Sequence, residues 1–178
     1  MMILKKNKKK VELIYQNIIT ISRSKVFYLD FNLDDRFETR FDLITFHAFS
    51  IFYFFRKKNI GKSEISQELF DLIFSDLENN LREMGFGDIA VNKKMKLFVN
   101  AFYGRIAQYS QGMEKFENLK DKSLLHQTIL NNIYKGKNEA DNIDVFVNYI
   151  ISSIEHFLEK TEEENLESCF QFKNLTGN

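Results

Sequence analysis

Three histidines, His47, His126 and His156, are the side chains best suited to hold a metal or act as a base, and their spacing favours neither. No HxxxH or HExxH pair brings two imidazoles onto one helical face. Asp71 and Asp76 stand five residues apart, about 500° around a helix, so they do not share a face and a metal or diphosphate site is not expected there. Polar-face or helix-packing roles are expected for both. Ser22 and Ser24 lack the GxSxG elbow of a hydrolase, and the glycines follow neither the P-loop nor the dinucleotide pattern. Cys169, the single cysteine, excludes an internal disulfide and a multi-cysteine metal site, and it fits a reducing compartment. His47 lies in an apolar run and is expected as a core histidine, bonded to a backbone carbonyl or a nearby acid. Nothing assembles a nucleophile, a base and oxyanion donors, so the sequence points to a protein with no catalytic site, no metal and no cofactor.

Charged residues set among aromatics are more informative. Arg40-Phe41-Asp42 is expected to open a helix, with Asp42 placed to favour its N-terminal dipole. Glu78 and Arg82 have the i,i+4 spacing of a helical ion pair. Gly104 falls mid-helix in Phe102-Tyr103-Gly104-Arg105, where glycine costs about 1 kcal/mol relative to alanine. It is expected either to admit a close interior helix contact or to floor a groove for a partner.

Six helical segments must position these groups. The first two are expected over residues 11–23 and 41–58. Gly61 breaks the chain, and Ser63 caps a third helix with Glu64 in its first turn. Ile65, Leu69, Leu72, Ile73, Leu77, Leu81 and Met84 form its buried stripe, widened by Phe70 and Phe74. In Met84-Gly85-Phe86-Gly87-Asp88, Gly85 suits a left-handed position, Phe86 can pack back on the last turn and Asp88 can cap the next helix. So short a joint makes its two helices neighbours. A fourth stripe runs Val91, Met95, Phe98, Phe102, Ile106, Tyr109 and Met113, with Lys93, Lys94 and Lys96 mostly off it. A weaker fifth helix is expected over 123–134, and a sixth over 142–164 with Ile143, Val147, Ile150, Ile154 and Phe157 on one face. No stretch alternates as a strand does. The polar patches 117–122 and 136–142 are read as connections.

The run from Leu43 to Phe55 is nearly all apolar but is closed by Asp42 and Arg56 after about 13 residues, and a bilayer span needs roughly 20. It reads as the buried central helix of a one-domain, all-α bundle. The 178 residues suffice for one sizeable core, 44% hydrophobic and 28% charged composition is that of a globular chain, and 19 Phe with no Pro leave long stretches free to be helical. Zero net charge gives no sign of nucleic-acid binding. A basic head (Lys5, Lys6, Lys8, Lys9, Lys10) and an acidic tail (Glu162, Glu163, Glu164, Glu167) are expected as solvated ends or as docking elements for a membrane surface or ribosome. The expected parts are a basic N-terminus over 1–10, a helical domain over 11–165 and a C-terminal tail over 166–178. The N-terminus reads as neither a secretory nor a good mitochondrial signal, and the expected location is the bacterial cytoplasm.

Several of these segments resemble the ubiquinol–cytochrome c chaperone family. Leu81-Arg82-Glu83-Met84-Gly85-Phe86-Gly87-Asp88 and Ala101-Phe102-Tyr103-Gly104-Arg105 match its two most specific motifs, and Gln67 to Asp76 look like its central helix. Arg40-Phe41-Asp42, and more loosely Phe27-Tyr28 with Phe46-His47, match its N-terminal part, so that the resemblance covers residues 15–113. Two departures stand out: Lys25 and Thr39 occupy places near which the family carries Pro and Gly. The resemblance implies an assembly factor for the cytochrome bc1 complex that binds newly made cytochrome b or another bc1 subunit. Its further partners would be a small second subunit or the ribosome, with peripheral contact to the inner membrane. It also implies a partner surface built from Arg40, Asp42, Asp71, Asp76, Arg82, Glu83, Asp88, Tyr103 and Arg105. Two rival readings are a small helical enzyme around His47 and a membrane scaffold docked by the lysine head.

Overall fold

The computed structural model describes residues 2–60, 64–137 and 140–175, with side chains from Lys8 onward and excluding 140–141. Among them are eight helices: α1 (Met2–Ser22), α2 (Val26–Leu29), α3 (Phe37–Lys57), α4 (Glu64–Glu83), α5 (Asp88–Leu119), α6 (Ser123–Asn132), α7 (Ala140–Glu159) and α8 (Glu162–Glu167). The described residues contain no strand, so the chain is all-α as its periodicity requires.

α3 is the central helix. Phe41, Leu43, Phe46, Phe49, Ile51, Phe54 and Phe55 are buried on successive sides of it, because α1, α5 and α7 pack around it. The aromatic excess is spent here. Phe46 meets Tyr109 of α5 and Phe146 of α7, each at 5.6 Å between ring centres, mostly edge to face. The apolar stripe expected on the last long helix is realised in α7, where Ile143, Val147, Ile150, Ile154 and Phe157 are all buried.

Several boundaries differ from expectation, each for a local reason. α3 begins four residues early, so Glu38, not Asp42, lies in its first turn. It ends in a left-handed Asn59, with Ile60 N–H donating to the Phe55 carbonyl at 2.8 Å. Gly61 and Ser63 lie outside the described residues. At the end of α4, Gly85 is left-handed as expected, its N–H donates to the Arg82 carbonyl and that of Phe86 to Leu81, which closes a Schellman motif. Gly87 rather than Asp88 takes the cap position of α5, with Asp88 one residue inside. α5 runs on through 117–119 and stops at a left-handed Lys120. The expected sixth helix is split after Glu159 by a capping box, in which Thr161 Oγ1 accepts from Glu164 N–H and the Glu164 carboxylate accepts from Thr161 N–H. α1 starts at Met2, and beyond residue 165 Leu166, Phe170 and Phe172 are buried in the core.

Candidate functional site

Two of the family-like motifs, Arg40-Phe41-Asp42 and Ala101-Phe102-Tyr103-Gly104-Arg105, meet inside the molecule. Asp42 on α3 is 1% exposed, and its Oδ1 forms an ion pair with Arg105 Nη2 on α5 at 2.7 Å. Its other oxygen accepts from the Lys135 ammonium, which a left-handed backbone just after α6 brings into place. The Arg105 guanidinium also lies 5.1 Å over the Phe41 ring, and Phe41 packs on Phe98 of α5 at 4.7 Å. Burial raises the Asp42 pKa, opposed by Arg105 and Lys135, while Glu38 nearby pushes it further up. Asp42 therefore does not serve the helix dipole: it ties α3, α5 and the end of α6 together. The seam continues through Asn132 Nδ2, which donates to Gln108 Oε1 at 3.0 Å.

Arg40, two residues from Asp42, turns outward and holds Asp35 in a two-bond fork at 2.8 and 2.9 Å. It borders a cavity of about 60 Å³, shared with Tyr15, Phe41 and Asp76, far below the several hundred Å³ of an organic-ligand pocket. There Tyr15 of α1 donates to Asp76 Oδ2 at 2.5 Å, and Asn80 Nδ2 donates to the same oxygen at 3.0 Å. Burial first and Asp76 second raise the Tyr15 pKa. Asp76 is thus a packing residue between α1 and α4. Asp71 faces solvent and accepts from Gln67 at 2.8 Å, on a different side as its spacing requires. Among the described residues no three His, Cys, Asp or Glu side chains gather as a metal site would need.

At the α4–α5 joint Arg82 pairs with Glu78 at 2.7 Å, the expected i,i+4 bridge, and also with Asp88 across the turn. Glu83 is exposed beside them. His47 is wholly buried: Nδ1–H donates to the Leu43 carbonyl at 2.7 Å with Ser22 Oγ 3.0 Å away, and Nε2 accepts from Tyr149 at 3.1 Å. Burial pushes its pKa down to about 4, which keeps the ring neutral.

The Phe102-Tyr103-Gly104-Arg105 motif divides by face. Phe102 and Arg105 turn inward, while Tyr103 is more than half exposed and stacks on Phe70 of α4 at 5.5 Å. A Cβ on Gly104 would meet nothing within 4 Å. The interior contact considered for Gly104 is absent from the described residues; it occurs at Gly112, where a Cβ would lie 2.7 Å from Leu125 Cδ2 of α6. Beside Tyr103 a shallow groove follows α5, lined by Asn92, Met95, Lys96, Val99 and Asn100. Of the nine residues assigned to a partner surface, Asp42, Arg105 and Asp76 hold the helices together. Arg82, Glu83 and Asp88 share the α4–α5 joint, and Arg40, Asp71 and Tyr103 lie elsewhere on the exterior. Lys135 escaped the sequence reading, although Lys-Gly directly after a helix is a signal for a left-handed turn.

This arrangement of a buried aromatic helix wrapped by α1, α5 and α7 defines a class of all-α bundle also seen in the crystal structure of the Cbp3 homolog from Brucella abortus. The TM-score is 0.83, with 24% identity over 97% of this chain and 93% of that one, a likeness of fold. No curated relative matches the chain. The family described as ubiquinol-cytochrome C chaperone matches residues 29–172, and the chain belongs to it. The match reaches past residue 113, so α6 and α7 are part of the family's extent and not an addition to it.

Proposed function

We propose that this chain is a non-enzymatic assembly chaperone of the cytochrome bc1 complex, whose client is cytochrome b. Family membership supports the chaperone role. The observation that carries the mechanism is the division of the Phe102-Tyr103-Gly104-Arg105 motif. Its inward half anchors α5 through Asp42, and its outward half presents Tyr103 and an uncovered Gly104 beside the α5 groove. Met95 and Val99 give that groove an apolar floor, Asn92 and Asn100 offer amide donors and acceptors at its rim, and the exposed Lys96 can keep its ammonium in water while its stem covers the client. An apolar client helix laid along α5 gains buried area there and meets no acid, in the manner of helix-in-groove recognition. Gly104 lets the client backbone come close. Bound in this way, the client is shielded from aggregation until assembly, with no bond made or broken.

Among the described residues no helix is long and apolar enough to cross a membrane. We place the chain in the bacterial cytoplasm against the inner membrane, with a small second subunit or the ribosome as further partners. Deleting the gene should lower cytochrome b, read from the reduced haem spectrum and a blot, with other haem proteins unchanged. Normal cytochrome b would refute this client.

A further inference from the structure

The corner where α4 turns into α5 gathers three exposed apolar side chains beside lysines. Ile89 is 87% exposed, and Met84 and Leu97 are each more than half exposed. At about 100° per residue, Ile89, Lys93, Lys96, Leu97 and Asn100 fall on one arc of roughly 100° on α5, so the apolar and cationic side chains point the same way. Lys93 and Lys96 form no ion pair among the described residues, and Lys94 sits 4.6 Å over the half-buried Phe86 ring. No acid occurs from Ile89 to Met113. The acids nearest the corner are Glu83 and Asp88, and Asp88 pairs with Arg82, which also binds Glu78. The other strongly exposed leucines have a different setting: Leu29 precedes Asp30, and Leu119 lies among charges of both signs, Glu117, Lys120, Asp121 and Lys122.

We propose that this corner is a docking surface for a membrane rich in anionic lipid. Ile89, Leu97 and Met84 enter the headgroup boundary, where their burial is favourable, while Lys93 and Lys96 meet lipid phosphates at the same depth. Charge favours this occupant at the corner, because the unpaired Lys93 ammonium beside Ile89 and Leu97, and that of Lys96 at the near edge of the groove, find their counter-charge in anionic headgroups. The docked corner sets the α5 groove next to the bilayer from which an apolar helix would be taken.

The test is co-sedimentation of the full chain with phosphatidylcholine vesicles containing or lacking 30 mol% phosphatidylglycerol. Binding is expected only to the anionic vesicles and should weaken with added salt. K93E/K96E should bind at least about thirty-fold more weakly, since each lysine near an anionic surface contributes a factor of about five. Ile89→Asn should lower affinity about tenfold at unchanged salt dependence. Circular dichroism of both variants should match the parent, because these side chains hold no other element. Equal binding to both vesicle types, or full binding by K93E/K96E with loss in K8E/K9E/K10E, would overturn the assignment. So would vesicle binding untouched by K93E/K96E when the same variant loses cytochrome b from a pull-down; that result would give the face to a protein client. The client reading stands or falls separately, on whether the unmodified chain captures cytochrome b at all.

Discussion

The two halves of α5 do different work. From about Ala107 to Leu119 the helix lies against α6, so closely that Gly112 leaves no room for a methyl group beside Leu125. From Asp88 to about Ile106 it buries only Val91 and Phe102 fully, and it leaves Ile89, Leu97 and Tyr103 in solvent. Arg105 marks the boundary, held by Asp42, whose other oxygen accepts from Lys135. Surface apolar groups on an otherwise well-packed bundle are available for partners, whereas the packed half and its ion cluster are committed to the fold. A family motif can therefore be split between stability and recognition within four consecutive residues.

Substitutions should separate the two halves. The largest effect is expected at the boundary. Asp42→Ala removes the only carboxylate shared by Arg105 and Lys135, and breaking a buried pair in this way costs on the order of 3–5 kcal/mol, read from the urea midpoint. A loss below 1 kcal/mol would mean that the cluster is not a clamp.

His47 gives the next effect through pH. Its folded pKa of about 4 lies below the ordinary 6.5, so the unfolded chain takes up a proton first as pH falls. Stability is full above about 6.5 and is lost between there and 4, by about 3 kcal/mol from this group. The unfolding free energy of His47→Gln should fall less steeply over that window; identical slopes would refute the neutral buried ring.

A paired glycine comparison sharpens the contrast further. Gly112→Ala should destabilise by about 1–3 kcal/mol through overpacking. Gly104→Ala should instead stabilise by up to about 1 kcal/mol, since the added methyl meets nothing and helix propensity improves. Both are read as thermal midpoints, and two shifts of the same sign would remove the distinction between the halves. The smallest stability change, about 0.5 kcal/mol or less, belongs to Tyr103→Ala, which loses its contact with Phe70 but empties no core. Its effect should appear in client capture instead.

The architecture was readable from periodicity because it follows from burial. A run apolar on every side, as in Leu43 to Phe55, has nowhere to go but the centre, and the stripe from Ile143 to Phe157 must face it. Helix ends were less readable. The capping box at Thr161 is present as Thr-Glu-Glu-Glu but follows directly on the apolar repeat of α7, which masks the break, and Asn59 gives no glycine signal for its left-handed turn. Among the candidate residues the motifs were in view but not their partners. Asp42 and Arg105 are 63 positions apart, and only the packing of α3 on α5 reveals them as one ion pair. Gly104 and Gly112 look alike in sequence, since what lies opposite each depends on where α6 returns.

The central claim is that the outward half of α5 receives the client. A photo-crosslinking residue at Asn100, in the groove and clear of the clamp, tests it in cells making cytochrome b. The account predicts an adduct with cytochrome b at Asn100 and none when the same residue replaces Glu163 on α8. Adducts at Glu163 with none at Asn100 would place the client on the other side of the bundle and contradict it.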